Sequence, residues 1–468
     1  MILLERNGVK PLYIQIYEHI RDEIISGQLR EGHRLSATRA QAEKLGVSRN
    51  TVEQAYLQLC SEGYLENRRG SGYYVRYVDA LLTDRDSAER KMQSFHRQSS
   101  SGAQKVLYDM KYGNCHMESF PLAKWRKAVE KALLSEEGRG TFSYGENYGD
   151  PALRSYLADY LERDRGVKCS PEQIIIGSGT QFLAGILLQL LRPGRCAIEE
   201  PGYDGIRYVL QNHGITIIPV EAGGCEGIRL DQLSGKRVQA VYVTPSHQFP
   251  MGGVMPIQNR IELIRMAEEE DFFIMEDDYD SVFRYTAKAI PAMQGLDQYG
   301  RVIYLGSLSK ILSPSIRLAY MVLPPVLKNR FDMSFSEYHN TVSGTLQKAL
   351  RIFMEEGEWE RHIRKTRLNS RKKHDILESA LESGLGDGFR VTGKDAGVHM
   401  IIESSELTAE EMIVRCRRKG INVYSLEKYF ALGTGRNRII AGFGGIALAD
   451  MEDASRRLVE ALKIGTKK

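Results

Sequence analysis

Residues 306–320 read GSLSKILSPSIRLAY, and the fold hangs on how this stretch is interpreted. The preceding residues, Val302 to Leu305 in RVIYLGS, have a short β pattern that stops at Gly306. Lys310 therefore falls just past a strand end, where α/β folds place their ligands. A surface lysine in a salt bridge is the alternative reading. Arg317, seven positions on, adds a guanidinium to a run that is otherwise small or apolar.

Outward from this stretch, from residue 106 onward, the β-like runs QIIIGSG, VQAVYVTP, FFIMEDD and RVIYLGS alternate with helical patterns. That alternation predicts a large α/β domain with a mostly parallel sheet. The helical pattern strengthens after Pro325, which predicts a smaller α+β subdomain from about residue 330 to the end.

Four further stretches carry chemistry. In IIIGSGTQ, a β-like run enters Gly177-Ser178-Gly179-Thr180 ahead of the helical FLAGILLQLL. Backbone N–H groups and hydroxyls at such a helix start can cradle a phosphate, and a plain strand-to-helix turn is the alternative. FFIMEDDYDS crowds Glu276, Asp277, Asp278 and Asp280 around Tyr279. Paired aspartates suit magnesium, and they equally suit a pyridinium nitrogen, with Tyr279 available to a phenolate oxygen. EEPGYDG offers Tyr203 as a stacking or a packing aromatic, and FSYGENYGDPALRSYL carries Tyr144 in a loop that enters a helix at Asp150-Pro151.

Composition bounds the possibilities. With 468 residues, 42% hydrophobic and 26% charged, the chain is expected to form two or three soluble units. No apolar run is long enough to span a bilayer and MILLERNGVK is no secretory signal, so a cytoplasmic protein is expected. The six cysteines are scattered without a CxxC pair, which predicts buried thiols and no metal site. A net charge of +4 is too small to announce a nucleic-acid binder, so any DNA contact must rest on a local motif.

The N-terminus supplies one. PLYIQIYEHIRDEIISG places Ile16, Ile20 and Ile24 on one helical face, TRAQAEKL forms a second helix ending at Gly46, and Ser48 caps a third. That third helix, RNTVEQAYLQLCSEG, turns Val52, Ala55, Tyr56 and Leu59 inward. YLENRRGSGYYV then reads as a hairpin with a basic, glycine-rich tip. Two short helices, the second opening on Ser48, Arg49, Asn50 and Thr51, followed by a basic hairpin, make a winged helix-turn-helix pattern. The predicted organisation is a head at 1–78, a polar linker at 79–105 that includes SSSG, and an effector domain at 106–468.

Through PLYIQIYEHIRDEIISGQLREGHRL, LGVSRNTVEQAYLQL and EGYLENRRGSGYYV, the head resembles that of GntR-type bacterial regulators. The resemblance implies DNA contacts from Arg39, Ser48, Arg49, Asn50, Thr51 and a wing comprising Arg68, Arg69, Gly70 and Gly72. Where the family has Leu-Pro-Ser, this chain has Leu35-Ser36-Ala37. That departure bears on one phosphate contact and on the rigidity of the loop.

From about residue 107, the motifs YGENYGDPALR, GSGTQ, EPGY, TPSHQFPMG, EDDYDSVFRY, SLSKILSPSIRLAY and NRIIAGF resemble those of fold-type I aminotransferases that use pyridoxal 5′-phosphate. This implies Lys310 as the Schiff-base lysine, Ser307, Ser309 and Arg317 around the phosphate, and Ser178, Gly179 and Thr180 as its cradle. It further implies Asp277 at the ring nitrogen, Tyr279 at the phenolic oxygen, Tyr203 stacked on the ring and Tyr144 reaching in from a partner subunit. Arg438 is the implied fork for an effector carboxylate, with Arg436 as its rival. Where these aminotransferases have Asn-Pro-Thr-Gly, Phe249-Pro250-Met251-Gly252 stands here, leaving His247 or Gln248 to substitute for the asparagine.

Head and effector domain together resemble MocR/GabR-type regulators. The arrangement implies a homodimeric, head-to-tail regulator of operator DNA that senses pyridoxal phosphate and an amino compound through an external aldimine. Its rivals are a working aminotransferase with a DNA-binding head, and a regulator of vitamin B6 synthesis that senses the cofactor alone.

Overall fold

The computed structural model describes residues 4–5, 10–76, 106–116, 120–134, 144–222, 227–285, 291–431 and 435–463. The chain divides into two compact units, Met1–Ala103 and Gln104–Lys468. The predicted linker at 79–105 lies outside the described residues.

In the first unit, helix α1 (Leu12–Ile25) precedes α2 (Thr38–Leu45) and α3 (Arg49–Ser61). The expected faces meet: Ile16, Ile20 and Ile24 bury against Val52, Ala55, Tyr56 and Leu59 in one small core. Each large aliphatic side chain removed from water there contributes about 1.5–3 kcal/mol. Gly46 ends α2 in the left-handed region at φ 61°, which turns the chain into α3 at little steric cost. Ser48 caps α3 by accepting from the Thr51 N–H at 3.2 Å. The wing follows as strands β1 (Leu65–Arg68) and β2 (Gly72–Val75), which pair antiparallel.

The second unit is built on a seven-stranded sheet. Its strands are β4 (Ile174–Gly177), β5 (Arg195–Glu200), β6 (Thr216–Glu221), β7 (Ala240–Val243), β8 (Phe273–Asp278), β9 (Val302–Ser307) and β10 (Ala319–Val322). They lie in the order β4-β10-β9-β8-β7-β5-β6. Every neighbouring pair is parallel except the two made by β10, which runs antiparallel to both β4 and β9. Burial on both faces explains the near-continuous apolar runs of the central strands. Because β4, β7, β8 and β9 all run the same way, their ends come to one edge, where Gly177, Val243, Asp278 and Ser307 stand.

The short strand β3 (Tyr108–Asp109) pairs in parallel with β13 (Ile421–Asn422). A second, four-stranded sheet, in the order β11-β12-β15-β14, comprises β11 (Phe389–Thr392), β12 (His399–Ser404), β14 (Tyr424–Ser425) and β15 (Arg438–Gly442). The expected α+β subdomain is thus present in the chain's last third, but its core also takes in Met110, Phe283 and Tyr285 from far upstream. Residues 342–354 instead pack in the core beneath the large sheet, with Leu350 and Phe353 beside Trp125 and Leu153. The 27-residue helix Glu358–Gly384 joins the two cores: Trp359 and Ile363 belong to one, Leu377 and Leu381 to the other. No helix among the described residues is long and apolar enough to cross a membrane.

Candidate functional site

The strand ends open onto a cavity of about 400 Å³. Of the residues singled out from the sequence, Gly179, Thr180, Tyr203, Asp277, Tyr279, Ser307, Ser309, Lys310 and Arg317 line it together. They arrive from separate segments of the chain, and the sheet order is what assembles them.

Lys310 follows β9, and its Nζ sits 3.8 Å from the centroid of the Tyr112 ring. Burial lowers its pKa to about 8, opposed by the nearby Cys115, Asp280 and Asp277. Gly113, at φ 92°, leaves room for this amine, since a Cβ there would stand 2.7 Å from Nζ. Asp277, the penultimate residue of β8, is buried. Its Oδ2 accepts from the Tyr242 hydroxyl, while its Oδ1 is buried without a hydrogen-bond partner among the described residues. Burial raises this carboxyl to about 7, against the Tyr242 bond that favours its ionised form.

Helix Thr180–Leu191 begins at the same edge, with Gly179 as its N-cap at φ 114°. The Arg317 guanidinium lies across that start and donates to the Ser178 carbonyl at 3.2 Å. A Cβ on Gly179 would collide with it. Ser178 itself does not line the cavity; its backbone anchors the arginine. Ser307 Oγ accepts from the Ser309 N–H at 3.3 Å and so shapes the turn that leads to Lys310.

The Tyr279 hydroxyl stands 2.9 Å from the His247 carbonyl and 3.0 Å from His247 Nδ1, which is itself 2.7 Å from Asp280 Oδ2. Its single proton can serve that carbonyl or a ligand oxygen, not both at once. Gln248 spends its amide on the backbone, donating to the Pro201 and Phe249 carbonyls and accepting from Met251. Phe249 occupies the position of the missing asparagine and packs its ring at 4.7 Å from Tyr112 and 4.8 Å from Tyr429.

Arg438 and Tyr144, also singled out from the sequence, lie away from the cavity. Arg438 opens β15 and pairs with Glu403, its cross-strand neighbour on β12, at 3.1 Å; it does not line the cavity. Tyr144 is 84% exposed and stacks on His339 at 4.1 Å. Sequence reasoning in turn missed Tyr112, Gly113, Asn114, Tyr242, Thr244, Lys428 and Tyr429, which also line the cavity. Only Thr244, inside TPSHQFPMG, had a motif to point to it.

On the head, Ser48, Arg49 and Asn50 are exposed at the start of α3, where backbone N–H groups are free to meet an anion. Arg49 stands 3.8 Å from Glu53, and Arg39, on α2, 3.8 Å from Glu43; both are solvent-exposed pairs that a stronger anion can displace. Thr51, half-buried, holds the cap. At the wing tip, Arg68, Arg69 and Gly70 are exposed, Gly70 and Gly72 lie at φ 79° and 111°, and Arg68 stacks 4.6 Å from the Tyr74 ring. The Tyr56 hydroxyl donates to the Ser36 carbonyl at 3.2 Å, a tie on the loop that lacks the family's proline.

A winged helix-turn-helix and a fold-type I aminotransferase-like unit on one chain define a DNA-binding transcriptional regulator. Residues 12–75 match the bacterial regulatory proteins of the gntR family, and residues 108–458 match class I and II aminotransferases. The chain belongs to the MocR-type subfamily of GntR regulators. It is 34% identical to MocR of Rhizobium meliloti, a probable rhizopine catabolism regulatory protein, over 98% of this chain and 96% of that one. Against YdeL of Bacillus subtilis (strain 168), an uncharacterized HTH-type transcriptional regulator, identity is 36% over 97% of each. Among solved structures, LysN of Thermus thermophilus superimposes with a TM-score of 0.69 at 25% identity, over 80% of this chain and 98% of that one. LysN is an alpha-aminoadipate aminotransferase complexed there with N-(5′-phosphopyridoxyl)-L-leucine. Aminotransferases of this class depend on pyridoxal 5′-phosphate, and GntR-type heads bind operator DNA.

Proposed function

We propose that this regulator holds pyridoxal 5′-phosphate in the cavity around Lys310, reads an amino compound there, and changes its grip on operator DNA as a head-to-tail homodimer. The observation that carries the reading is Asp277 Oδ1, buried without a partner among the described residues in a cavity that also holds the Lys310 amine and the Arg317 guanidinium. A buried carboxylate oxygen left unpaired is costly, and a protonated ring nitrogen would satisfy it. The residues present therefore fit the cofactor.

When bound, the cofactor supplies an aldehyde that condenses reversibly with a primary amine, either that of Lys310 or that of an entering amino compound. Asp277 would keep the ring nitrogen protonated. Arg317, Thr180, the Ser178–Gly179 backbone, Ser307 and Ser309 would take phosphate oxygens at the helix start. Tyr203 would stack on the ring, and Tyr279 would turn its proton from the His247 carbonyl to the phenolic oxygen. Tyr144, exposed and beside His339, is offered to the cavity of a second copy. Arg438 would serve an effector carboxylate only after exchanging Glu403 for it. On DNA, Arg49 and Asn50 would meet base edges, while Arg39, Ser48, Thr51 and the wing at Arg68, Arg69, Gly70 and Gly72 would meet the backbone.

Titration of the full-length protein with pyridoxal phosphate, followed by the absorbance of the bound cofactor, tests this. The wild type should saturate, and Asp277→Ala should bind more weakly with a shifted spectrum. Calorimetric binding of magnesium in place of the cofactor would move Asp277 to a metal role. Sustained transamination over a panel of amino and keto acids would make the protein an enzyme first and a regulator second.

A further inference from the structure

His247 does not line the cavity, but Tyr279 does, and the Tyr279 hydroxyl stands 2.9 Å from the His247 carbonyl and 3.0 Å from its Nδ1. The same Nδ1 is 2.7 Å from Asp280 Oδ2, and both side chains are buried. A carboxylate oxygen only accepts, so Nδ1 carries the proton that it donates to Asp280. Nδ1 therefore cannot accept from Tyr279. The phenol proton is left to the His247 carbonyl or to a ligand oxygen, while the Nδ1–H, as a second and longer contact, faces the phenol oxygen.

Two glycines hold the imidazole in this orientation. A Cβ on Gly397 would stand 2.2 Å from its Cε1, and one on Gly252 3.3 Å from its Nε2. Gly397 lies between β11 and β12 at φ 80°, tied by its N–H to the Phe283 carbonyl at 2.7 Å. The His247 Nε2 is buried without a hydrogen-bond partner among the described residues, so Nδ1 makes the polar contacts of the ring. Glu199, Asp277 and Tyr112 face Tyr279, and Lys310, Arg284 and Tyr285 act on Asp280. On the other side of His247, 5.4 Å between ring centroids, His399 is kept neutral: burial lowers its pKa to about 3, and its Nε2 lies 2.8 Å from the Pro250 carbonyl.

We propose that His247, oriented by Asp280, is a positioning residue that aims the Tyr279 proton at the phenolic oxygen of the bound cofactor, an inference that rests on the function proposed above. The residue acts through Tyr279 and not by its own contact. Gln248 is spent on the backbone and Phe249 has no donor, so Tyr279 is the side chain of this corner that is left to serve that oxygen. A hydroxyl that donates to an ionised oxygen favours the ionised form, so the accuracy of its aim sets the pH at which the cofactor takes up a proton. Because Gly397 belongs to the loop that leads into the small sheet, the aim also depends on how that sheet sits against β8.

Absorbance of pyridoxal phosphate bound to the full-length protein, followed against pH, tests this. Tyr279→Phe is expected to raise the midpoint of the spectral change by about one pH unit, a tenfold gain in proton affinity for the loss of one hydrogen bond to a charged oxygen. His247→Leu should shift it the same way, and should add nothing once Tyr279 is already Phe, because the two act as one unit. His247→Asn, whose amide nitrogen can take the place of Nδ1, should stay near the wild type, whereas His247→Gln, whose amide nitrogen falls nearer the place of Nε2, should shift as the leucine does. An unchanged midpoint in His247→Leu, or an equal shift in both Tyr279 backgrounds, overturns the proposal. If His247→Leu does not fold, the comparison of His247→Asn with His247→Gln decides it, and equal midpoints in those two overturn it. A wild type that takes up no pyridoxal phosphate overturns instead the function on which the proposal rests.

Discussion

On the function proposed above, the chemistry of the large unit centres on the Lys310 amine, and its environment predicts how that atom responds to pH. Only the neutral amine attacks an aldehyde, and burial sets the Lys310 pKa at about 8 instead of the usual 10.5. About a tenth of the amine is neutral at pH 7 and about nine tenths at pH 9. The rate of cofactor capture should therefore climb through that window and level off above it, as stopped-flow absorbance would record. A flat profile would mean that the amine is not the attacking group. Lys310→Ala should still admit the cofactor to Asp277 and Arg317 but lose it on dialysis, with operator binding retained because the head is untouched. A normal response of that variant to its amine effector in a reporter assay would show that covalent exchange is not the signal.

At the scale of the element, α3 is short, capped at one end by Ser48 and buried along one face by Val52, Ala55, Tyr56 and Leu59. Its exposed start is then free for recognition. Arg49 is paired with Glu53 at 3.8 Å on the surface, so removing it costs the head little stability. Arg49→Ala is expected to weaken operator binding by about 1–3 kcal/mol, the worth of a base-edge contact, and to leave the cofactor spectrum unchanged. Fluorescence anisotropy with labelled operator measures the first and absorbance the second. An unchanged operator affinity would remove α3 from the groove. The helix at Thr180 shows a similar division of labour in the other unit: Leu183, Leu187 and Leu188 bury it, and its glycine start faces the cavity beside Arg317.

For the whole molecule, the two units carry separate apolar cores, so each is expected to unfold as its own cooperative transition. Pyridoxal phosphate should raise only one of them in a calorimetric scan. At a hundred times Kd the gain is about 2.7 kcal/mol for a ligand that binds only the folded state. A single transition that moves as one would show that the units are energetically coupled.

What the sequence determined by itself was local. The Ser48 cap, the inward faces of α1 and α3, the glycine start at Ser178–Thr180 and the strand end before Lys310 each depend on residues within a turn or two, so periodicity and cap chemistry expose them. The family motifs then pointed to nine of the residues that line the cavity, Asp277, Lys310 and Arg317 among them. Tertiary structure alone decided how those pieces meet. That β10 runs antiparallel between β4 and β9, that Tyr242 bonds Asp277, and that Glu403 occupies Arg438 depend on residues brought together by the sheets. The same holds for Tyr112 beneath the Lys310 amine, a pair that lies far apart along the chain. Such partners leave no period in the sequence, because their pairing is set by which strands become neighbours and by which buried charge has no water left to answer it.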